Sequence, residues 1–356
     1  MKNTKSIITK YCGISKSRVL CIGSMGKDIF LPVTSGAVVD SDMEQSKVKQ
    51  FCFRYGGKIH VKDRFNAPGG CACNVSIGLS RLGIDVSSLG NIGDDYDGEW
   101  IRKILDSEHV NTRKINVKQG KNSDISVVVV DANEGERTIF VNRDVGEELI
   151  IKKQDLDDFD WCFVGSLYGE NIRDNVQIIH DKLLNTKLKL VYNPGGKNIK
   201  QDVDIVLDLI HHANIIFVNK SEAREIVSKF NLSYTKEEFS DERYLLTILR
   251  EHMQNDNGIV VVTDGRRGAW VCDGKNMYHT KTINKPVCDA TGAGDAFASG
   301  FFAAVLYRLP LKKCIVWGSI NGDSVVDYYG AQKGLQTCGT IQDRMGLFVV
   351  ENKKNK

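Results

Sequence analysis

Two aspartates enclose a run of small residues in the segment DATGAGDAF, which spans residues 289–297. The apolar stretch 296–306 follows at once and predicts a buried helix. A helix start has N–H groups without an intrahelical acceptor and a partial positive charge, and glycine lets another group approach the backbone. This turn is therefore a candidate anion site. Its backbone donors would be Gly292, Ala293 and Gly294. An acidic side chain in this turn would repel a bound anion, so the presence of Asp295 there indicates a separate function.

A second glycine turn, PGGCACN at 68–74, precedes another helix-like segment, VSIGLSRLG. By itself it is a weak signal, because two glycines before a helix are often only a turn. It is not G-x-G-x-x-G, no acidic residue ends a following strand, and the P-loop ending Gly-Lys-Ser/Thr is absent. Both common nucleotide fingerprints are therefore missing, and any nucleotide must bind in another way.

Together the two turns resemble the signatures of the ribokinase-like carbohydrate kinases, the PfkB family, as GGCACNVSIGLSRLG and DATGAGDAFASGFFAAV. Shorter segments agree in order: GSMGKD at 23–28, NIGDDYDG at 91–98, NKSE at 219–222 and VTDGRRG at 262–268. The last two are similar to the family's N-x-x-E motif and nucleotide-side T-x-G turn. The resemblance covers residues 18–345 and implies an ATP-dependent, Mg²⁺-requiring kinase that phosphorylates a hydroxyl of a small sugar.

In that family the aspartate that closes the G-A-G-D turn accepts the proton of the sugar hydroxyl, which implies Asp295 as the catalytic base. An alcohol that attacks a γ-phosphate must lose its proton while charge spreads over the phosphoryl oxygens. The N–H groups of Gly292, Ala293 and Gly294 would bind those oxygens. The alternative is an aspartate that only stabilises the helix dipole.

On the nucleotide side, the resemblance implies that Asn219 and Glu222 arrange Mg²⁺, with Glu222 acting through water. Three residues apart at a helix start, they face the same side. The alternative is an ordinary helix cap, for which Ser221 alone would suffice. By the same resemblance, Thr263 and Gly265 would lie along the phosphates and the adenosine of ATP.

On the sugar side, the resemblance implies hydroxyl contacts for four positions: Asp28, Gly69, Gly70 and Asn74. Carboxylate and amide groups suit a polyol because each can serve neighbouring hydroxyls. Ribokinase itself has lysine where this chain has Cys71, so its sugar contacts are not inherited unchanged. Asp289 matches a position that in some members helps bind a monovalent cation such as K⁺; the alternative is a structural aspartate within a loop.

The elements that must position these residues follow a βα rhythm. Buried strand-like runs separated by amphipathic helices predict an α/β, ribokinase-like fold, with a mostly parallel central sheet flanked by helices. The predicted strands are 18–22, 86–89, 161–164, 188–192, 214–218 and 259–263. The predicted helices are 74–82, 98–107, 171–184, 203–212, 222–230, 243–253, 294–307 and 311–327.

Two insertions, about 28–66 and 124–143, interrupt this rhythm. The second reads as a hairpin, ISVVVV and RTIFVN joined by DANEGE. Both are interpreted as a small β-sheet lid over the mouth of the central sheet. The alternative is an edge extension without motion. Open edges of the lid strands could pair in a homodimer.

Charge and cysteine usage favour a cytoplasmic protein. Residues 1–17 carry +4 and residues 351–356 carry +2 of the net +3, so the remaining body carries −3, which argues against a nucleic-acid surface. The tails 1–17 and 346–356 are interpreted as solvated ends. The ten cysteines show no disulfide framework, and Cys71 and Cys73 are interpreted as small structural residues instead of metal ligands. No membrane span or signal peptide is predicted.

The acceptor is less determined than the reaction. A nucleoside kinase or a sugar-phosphate kinase of the same family is the first alternative, and a non-catalytic sugar or nucleotide sensor the second. The intact G-A-G-D argues against the sensor. Arg54 and Arg143 could bind a second phosphate or a carboxylate. Four aromatic residues of the lid could form a slot for a nucleoside base but are interpreted as the lid's own packing face: Phe30, Phe51, Phe53 and Tyr55. A free pentose or hexose is predicted over a nucleoside. The histidines, including His211 and His212 beside a strand, form no catalytic set.

Overall fold

The computed structural model describes residues 17–43, 46–61, 63–230 and 232–353. Most of the predicted N-terminal tail, residues 1–16, and the last three residues lie outside the described part of the chain. Within that part, no helix has the length and apolar content that crossing a bilayer would require.

A nine-stranded sheet in the order β17-β16-β15-β14-β13-β12-β11-β1-β6 forms the centre of the fold. The strands from β6 to β14 are mutually parallel and the remaining three are antiparallel. The parallel strands are β1 (Arg18–Ile22), β6 (Asp85–Leu89), β11 (Trp161–Val164), β12 (Lys189–Tyr192), β13 (Ile215–Asn219) and β14 (Ile259–Thr263). The antiparallel strands are β15 (Ala269–Cys272), β16 (Met277–Thr280) and β17 (Val350–Asn352).

Helices cover both faces of this sheet, as the apolar strand sequences require. In β1, Val19 and Cys21 face one layer, whereas Leu20 and Ile22 face the other. The first layer contains α1 (Cys71–Arg81), α2 (Tyr96–Ser107), α8 (Ala293–Leu306), α9 (Leu311–Val325) and α10 (Cys338–Arg344). The second contains α3 (Ile172–Asn185), α4 (Gly195–Gln201), α5 (Val203–His212), α6 (Lys220–Val227) and α7 (Glu242–Glu251).

A separate four-stranded sheet, here called the small sheet, has the order β10-β9-β2-β5. Its strands are β2 (Gly26–Val33), β5 (Phe65–Gly69), β9 (Asp124–Asp131) and β10 (Arg137–Asn142). The predicted hairpin between the last two is confirmed, with Arg137 opposite Val130. Buried Phe30, Val128 and Val130 form its core.

Two further strand pairs and five short 3₁₀ turns complete the described elements. The strand pairs are β3 (Ala37–Met43) with β4 (Ser46–Cys52), and β7 (Asn91–Gly93) with β8 (Asn116–Lys118). The turns are Gly146–Glu148, Lys153–Leu156, Glu238–Ser240, Gly265–Arg267 and Met345–Leu347.

The fold class is as predicted, and two boundaries differ in ways that matter. Helix α1 begins at Cys71 instead of Asn74, because Gly70 takes a positive φ of 89° and turns the chain directly from β5 into the helix. Residues 350–352, placed in the C-terminal tail by the sequence, form the edge strand β17. They pair with β16, whose outer edge would otherwise be open.

Candidate active site

The two glycine turns meet because α1 and α8 pack closely against each other. A Cβ at Gly78 would overlap the hydroxyl of Ser299, so this contact requires glycine on α1. The packing brings the start of α1 to the start of α8. There the Asn74 side-chain nitrogen donates a hydrogen bond of 2.8 Å to a carboxylate oxygen of Asp295.

The orientation of the Asn74 amide is fixed by Gln332, a residue that no sequence motif marks. Its amide nitrogen donates to the Asn74 side-chain oxygen and, at 2.6 Å, to the carbonyl of Pro68. Arg81 binds the Gln332 carbonyl at 2.7 Å and pairs with Glu108 at 2.6 Å. The NH₂ group of Asn74 is thereby directed toward Asp295.

Asp295 lies in an environment suited to a proton acceptor. Burial raises the pKa of its carboxyl above the ordinary aspartate value, and the hydrogen bond from Asn74 opposes part of that rise. A carboxylate whose pKa is raised holds a proton more readily than a solvated one.

The turn in front of α8 offers unpaired donors, although not the three that the sequence indicates. The N–H groups of Gly292, Gly294 and Asp295 have no acceptor among the described residues, whereas that of Ala293 donates to the Ala290 carbonyl at 3.4 Å. The backbone N–H of Asp295, and not that of Ala293, is therefore the third available donor. The first turn of a 14-residue helix favours an anion at this position.

Gly292 and Gly294 differ in whether the fold itself requires glycine. Gly292 has a left-handed φ of 73°, and a Cβ there would overlap the methyl group of Ala331. Gly294 does not have a positive φ, and a Cβ there would meet no atom within 4 Å. Open space thus lies beside the unpaired N–H groups, where a phosphate would have room.

Asp28 joins the same region from β2. Its carboxyl occupies the space that a Cβ of Gly69 would fill, which explains glycine at that position. Burial, with the charges of Asp289 and Asp295 adding to it, raises the pKa of Asp28 to about 6, while the Ser126 hydroxyl and Arg143 oppose the rise. Gly70 plays a backbone role, because a Cβ there would overlap the Ser24 carbonyl.

We expect Asp28→Asn to stabilise the protein at pH 7.5 and much less at pH 4. The folded-state pKa of Asp28 is raised, so the carboxyl contributes to the stability of the fold while it is protonated at low pH. That contribution is lost as the pH rises through about 6, because the buried carboxyl then ionises. A shift of about two units sets an upper limit of about 3 kcal/mol. Unfolding free energies at the two pH values measure this gain, with the exposed Asp85→Asn as control. A loss of stability at pH 7.5 would contradict the expectation.

Asp289 has the contacts of a loop-forming aspartate. One carboxylate oxygen accepts from the N–H of Thr291 at 2.9 Å and from its hydroxyl at 2.7 Å, and the other from the N–H of Gly330 at 3.3 Å. These bonds agree with the structural alternative, and the monovalent-cation role stays a prediction.

Asn219 and Glu222 form a reciprocal cap at the start of α6. The Glu222 N–H donates to the Asn219 side-chain oxygen, and the Asn219 N–H donates to the Glu222 carboxylate, each at 2.9 Å. Burial raises the pKa of Glu222, and the backbone N–H groups of Asn219 and Gly196 partly offset this. The cap alternative is thus present in the structure, built from both residues and not from Ser221.

Thr263 and Gly265, the other two residues expected on the nucleotide side, lie at the carboxyl end of the neighbouring strand β14. Thr263 is the register partner of Asn219 across β13 and β14. Gly265 follows with a φ of 49° and open space around its Cβ position. Arg267 pairs with Asp264 and is mostly exposed. A cavity of about 410 Å³ lies at the opposite, amino-terminal ends of the parallel strands. It is lined by Trp161, Lys189 and Ile259 among others and contains none of the site residues.

Two further features of this region carry no signal in the sequence. The Arg143 guanidinium lies 4.1 Å from the ring centre of Tyr168, and the Lys197 ammonium lies 4.8 Å from it. Tyr168 and Lys197 come from loops and helix starts that carry no motif, so only the fold brings them to Arg143. Cys71 fills the space left by Gly23 and Gly165, and burial raises the pKa of its thiol.

Comparison with known proteins places these features in context. The family model for pfkB family carbohydrate kinases matches residues 19–338. The chain is 25% identical to the uncharacterized sugar kinase of Archaeoglobus fulgidus over 262 residues, covering 73% of this chain and 98% of that protein. It is 22% identical to the nucleoside kinase of Methanocaldococcus jannaschii over 281 residues, covering 78% and 85%.

The fold is similar to that of ribokinase from Cryptococcus neoformans var. grubii in complex with ADP. The TM-score is 0.73 at 21% identity, and the match covers 92% of this chain and 100% of that one. The overall fold is therefore shared with a solved structure.

Proposed function

Since this chain belongs to the pfkB family of carbohydrate kinases, and so is a phosphotransferase with an alcohol group as acceptor, we propose that it phosphorylates a free pentose or hexose with ATP. The observation that carries the proposal is the pairing of Asp295 with Asn74 directly beside unpaired backbone N–H groups. A base next to an anion site is what transfer of a phosphoryl group to a hydroxyl needs.

In the proposed reaction, Asp295 accepts the proton of the acceptor hydroxyl while that oxygen attacks the γ-phosphorus in line. The hydrogen bond from Asn74 holds the carboxylate in one orientation, so no reorganisation is needed during transfer. The N–H groups of Gly292, Gly294 and Asp295 bind the phosphoryl oxygens as charge spreads over them. No covalent enzyme intermediate is required.

Asp28 is proposed to hold other hydroxyls of the same sugar. Its carboxylate is buried against Gly69, and the charge of Asp295 contributes to its raised pKa, which supports placing both carboxylates at one acceptor site. The small sheet that carries Asp28 is proposed to act as a lid that excludes water when the acceptor binds. Gly69 leaves room for the Asp28 carboxyl, and Gly70 allows close approach of the Ser24 carbonyl.

The residues at the ends of β13 and β14 fit the nucleotide side of the proposed site. Asn219 and Thr263 lie side by side there, and Gly265 leaves the adjoining space open. Glu222 supplies a carboxylate that could hold Mg²⁺ through water. Mg²⁺ would neutralise charge on the ATP phosphates.

We expect Glu222→Gln to raise the Mg²⁺ concentration needed for half-maximal rate and to leave the sugar KM nearly unchanged. Glutamine keeps the size of the side chain and can still accept the Asn219 N–H, so the cap survives while the charge is lost. Initial rates over a Mg²⁺ titration measure the effect. A titration curve that overlays that of the wild type would remove the metal role and leave only the cap.

The experiment that tests the proposed function is a panel of pentoses, hexoses, nucleosides and sugar phosphates assayed with ATP by ADP release. The proposal expects the highest kcat/KM for a free pentose or hexose. A nucleoside with a much higher kcat/KM than every sugar would overturn the acceptor assignment. ADP release that persists unchanged in Asp295→Asn would identify a contaminating activity or a wrong base.

One observation favours a second candidate, an acceptor that carries a phosphate or carboxylate. Arg143 lies near enough to Asp28 to lower its pKa and is held over Tyr168, with Lys197 on the same ring. Two cations suit an anionic group, which here would compete with Asp124, 3.5 Å from Arg143, and with Glu147, 3.0 Å from Lys197. In the same panel, preference for sugar phosphates that Arg143→Met removes would establish this candidate.

The expected homodimer through the small sheet stays a prediction. Strand β10 is the outer strand on one side, and Phe140 is 60% exposed there. An open edge with apolar side chains can pair with a second copy. Sedimentation of the wild type and Phe140→Lys measures whether this edge is used.

A further inference from the structure

Three metal-ligating side chains converge outside the proposed kinase site. His180 lies on α3, and Asp208 and His212 lie one turn apart on α5, in the helix layer opposite the one that holds α1 and α8. One ligand atom from each of the three lies within 4.8 Å of the other two. All three side chains are partly accessible to solvent, so an ion could reach them.

The hydrogen bonds of His212 fix its free nitrogen. Its Nδ1 lies 2.9 Å from the carbonyl of Asp208, which can only accept, so Nδ1 carries the proton. In the neutral ring, Nε2 then presents a lone pair. A histidine that donates Nδ1–H to a backbone carbonyl and directs Nε2 outward has the arrangement seen in metal ligands.

His180 directs its own Nε2 at this lone pair, at a distance of 3.2 Å. Its Nδ1 lies 3.8 Å from an Asp208 carboxylate oxygen, where a proton is stabilised and a lone pair is repelled. If Nδ1 carries the proton, the two Nε2 lone pairs face each other across 3.2 Å. A cation between them would relieve this repulsion.

We propose that His180, His212 and Asp208 form a binding site for a divalent transition-metal ion, with Zn²⁺ as the best match. Two nitrogen ligands of a tetrahedral zinc ion at 2.0–2.1 Å lie about 3.3 Å apart, close to the observed separation. The Asp208 carboxylate, whose oxygens lie 3.8 and 3.7 Å from Nδ1 of His180 and His212, would turn toward the ion to become the third ligand, and water would complete the shell. Imidazole and carboxylate ligands favour Zn²⁺ over Mg²⁺, which prefers oxygen alone.

Such an ion would connect α3 to α5 and so join two helices that precede neighbouring strands β12 and β13. Its effect would be on stability, separate from phosphoryl transfer. The competing account is a hydrogen bond between the two neutral imidazoles, in which Nε2–H of His180 donates to His212 and no ion binds. The two accounts differ in zinc binding.

The test uses the purified full-length chain, titrated with Zn²⁺ and assayed by calorimetry and thermal unfolding. The variants His180→Gln and His212→Gln are compared with His211→Gln, a matched control on the same helix with an exposed ring. Comparison of stoichiometries separates this site from zinc bound by cysteine thiols. Turnover at saturating Mg²⁺ reports whether each variant is folded.

We expect wild type and His211→Gln to bind one more Zn²⁺ per chain than His180→Gln or His212→Gln, with affinity at this site at least about 100-fold weaker in those two. At free zinc about one hundred times Kd, the unfolding temperature should rise by about 4 °C in wild type and not in either variant. Equal zinc stoichiometry in all four proteins, or an equal loss in His211→Gln, would overturn the proposal.

Discussion

Asp295→Asn is expected to lower kcat by about 10²- to 10⁴-fold while ATP binding is largely retained. Asparagine has the same shape as aspartate and, with its oxygen toward Asn74, can keep that hydrogen bond. It cannot accept the proton of the acceptor hydroxyl. The variant has no titratable carboxyl at this position, so the buried proton acceptor with the raised pKa is absent.

Steady-state rates and equilibrium binding of an ATP analogue separate the two effects. If Asp295 only stabilised the dipole of α8, the variant would lose about 0.3–1 kcal/mol of stability and keep its turnover. Near-normal kcat in a folded variant would therefore return Asp295 to the structural alternative.

The second large effect is expected from Gly294→Val, which should lower turnover at least about 100-fold, as the loss of anion-binding donors does elsewhere. Gly294 has no positive φ, and no atom lies within 4 Å of its Cβ position, so the fold has room for valine. The side chain would fill the space beside the unpaired N–H groups. The unfolding temperature should change by no more than a few degrees.

Two other glycines make this prediction specific. Gly346→Val places a side chain in equally open space away from the proposed site, so both turnover and stability should be retained. Gly292→Val should instead destabilise the fold, because φ is 73° and Ala331 occupies the Cβ position. Full turnover of a folded Gly294→Val would contradict the assignment of this space to a phosphate.

The central sheet was largely predictable because its strands are buried on both faces. Runs such as Arg18–Ile22 and Ile259–Thr263 are apolar except for one terminal residue, and their predicted bounds agree with the observed strands. Strand β17 was missed because it has only three residues and lies at an edge in a charged segment, where pairing with β16 and not local sequence decides its structure.

The individual residues of the candidate site could be found from motifs, but their connections could not. Asn74 and Asp295 each lie in a signature, yet nothing local to either segment indicates that their side chains touch. Gln332 lies in a segment without a motif and reaches Asn74 only through the fold. The same holds for His180 and His212, which two separate helices bring together.

The direct succession of β5 and α1, with Gly70 alone between them, couples the small sheet to the candidate base. Gln332 adds a second connection, because its side-chain amide binds both the Pro68 carbonyl on β5 and the Asn74 side chain. We infer that the small sheet cannot shift far from the central sheet without disturbing the hydrogen bond between Asn74 and Asp295. Enclosure of the acceptor and alignment of the base would then be a single event.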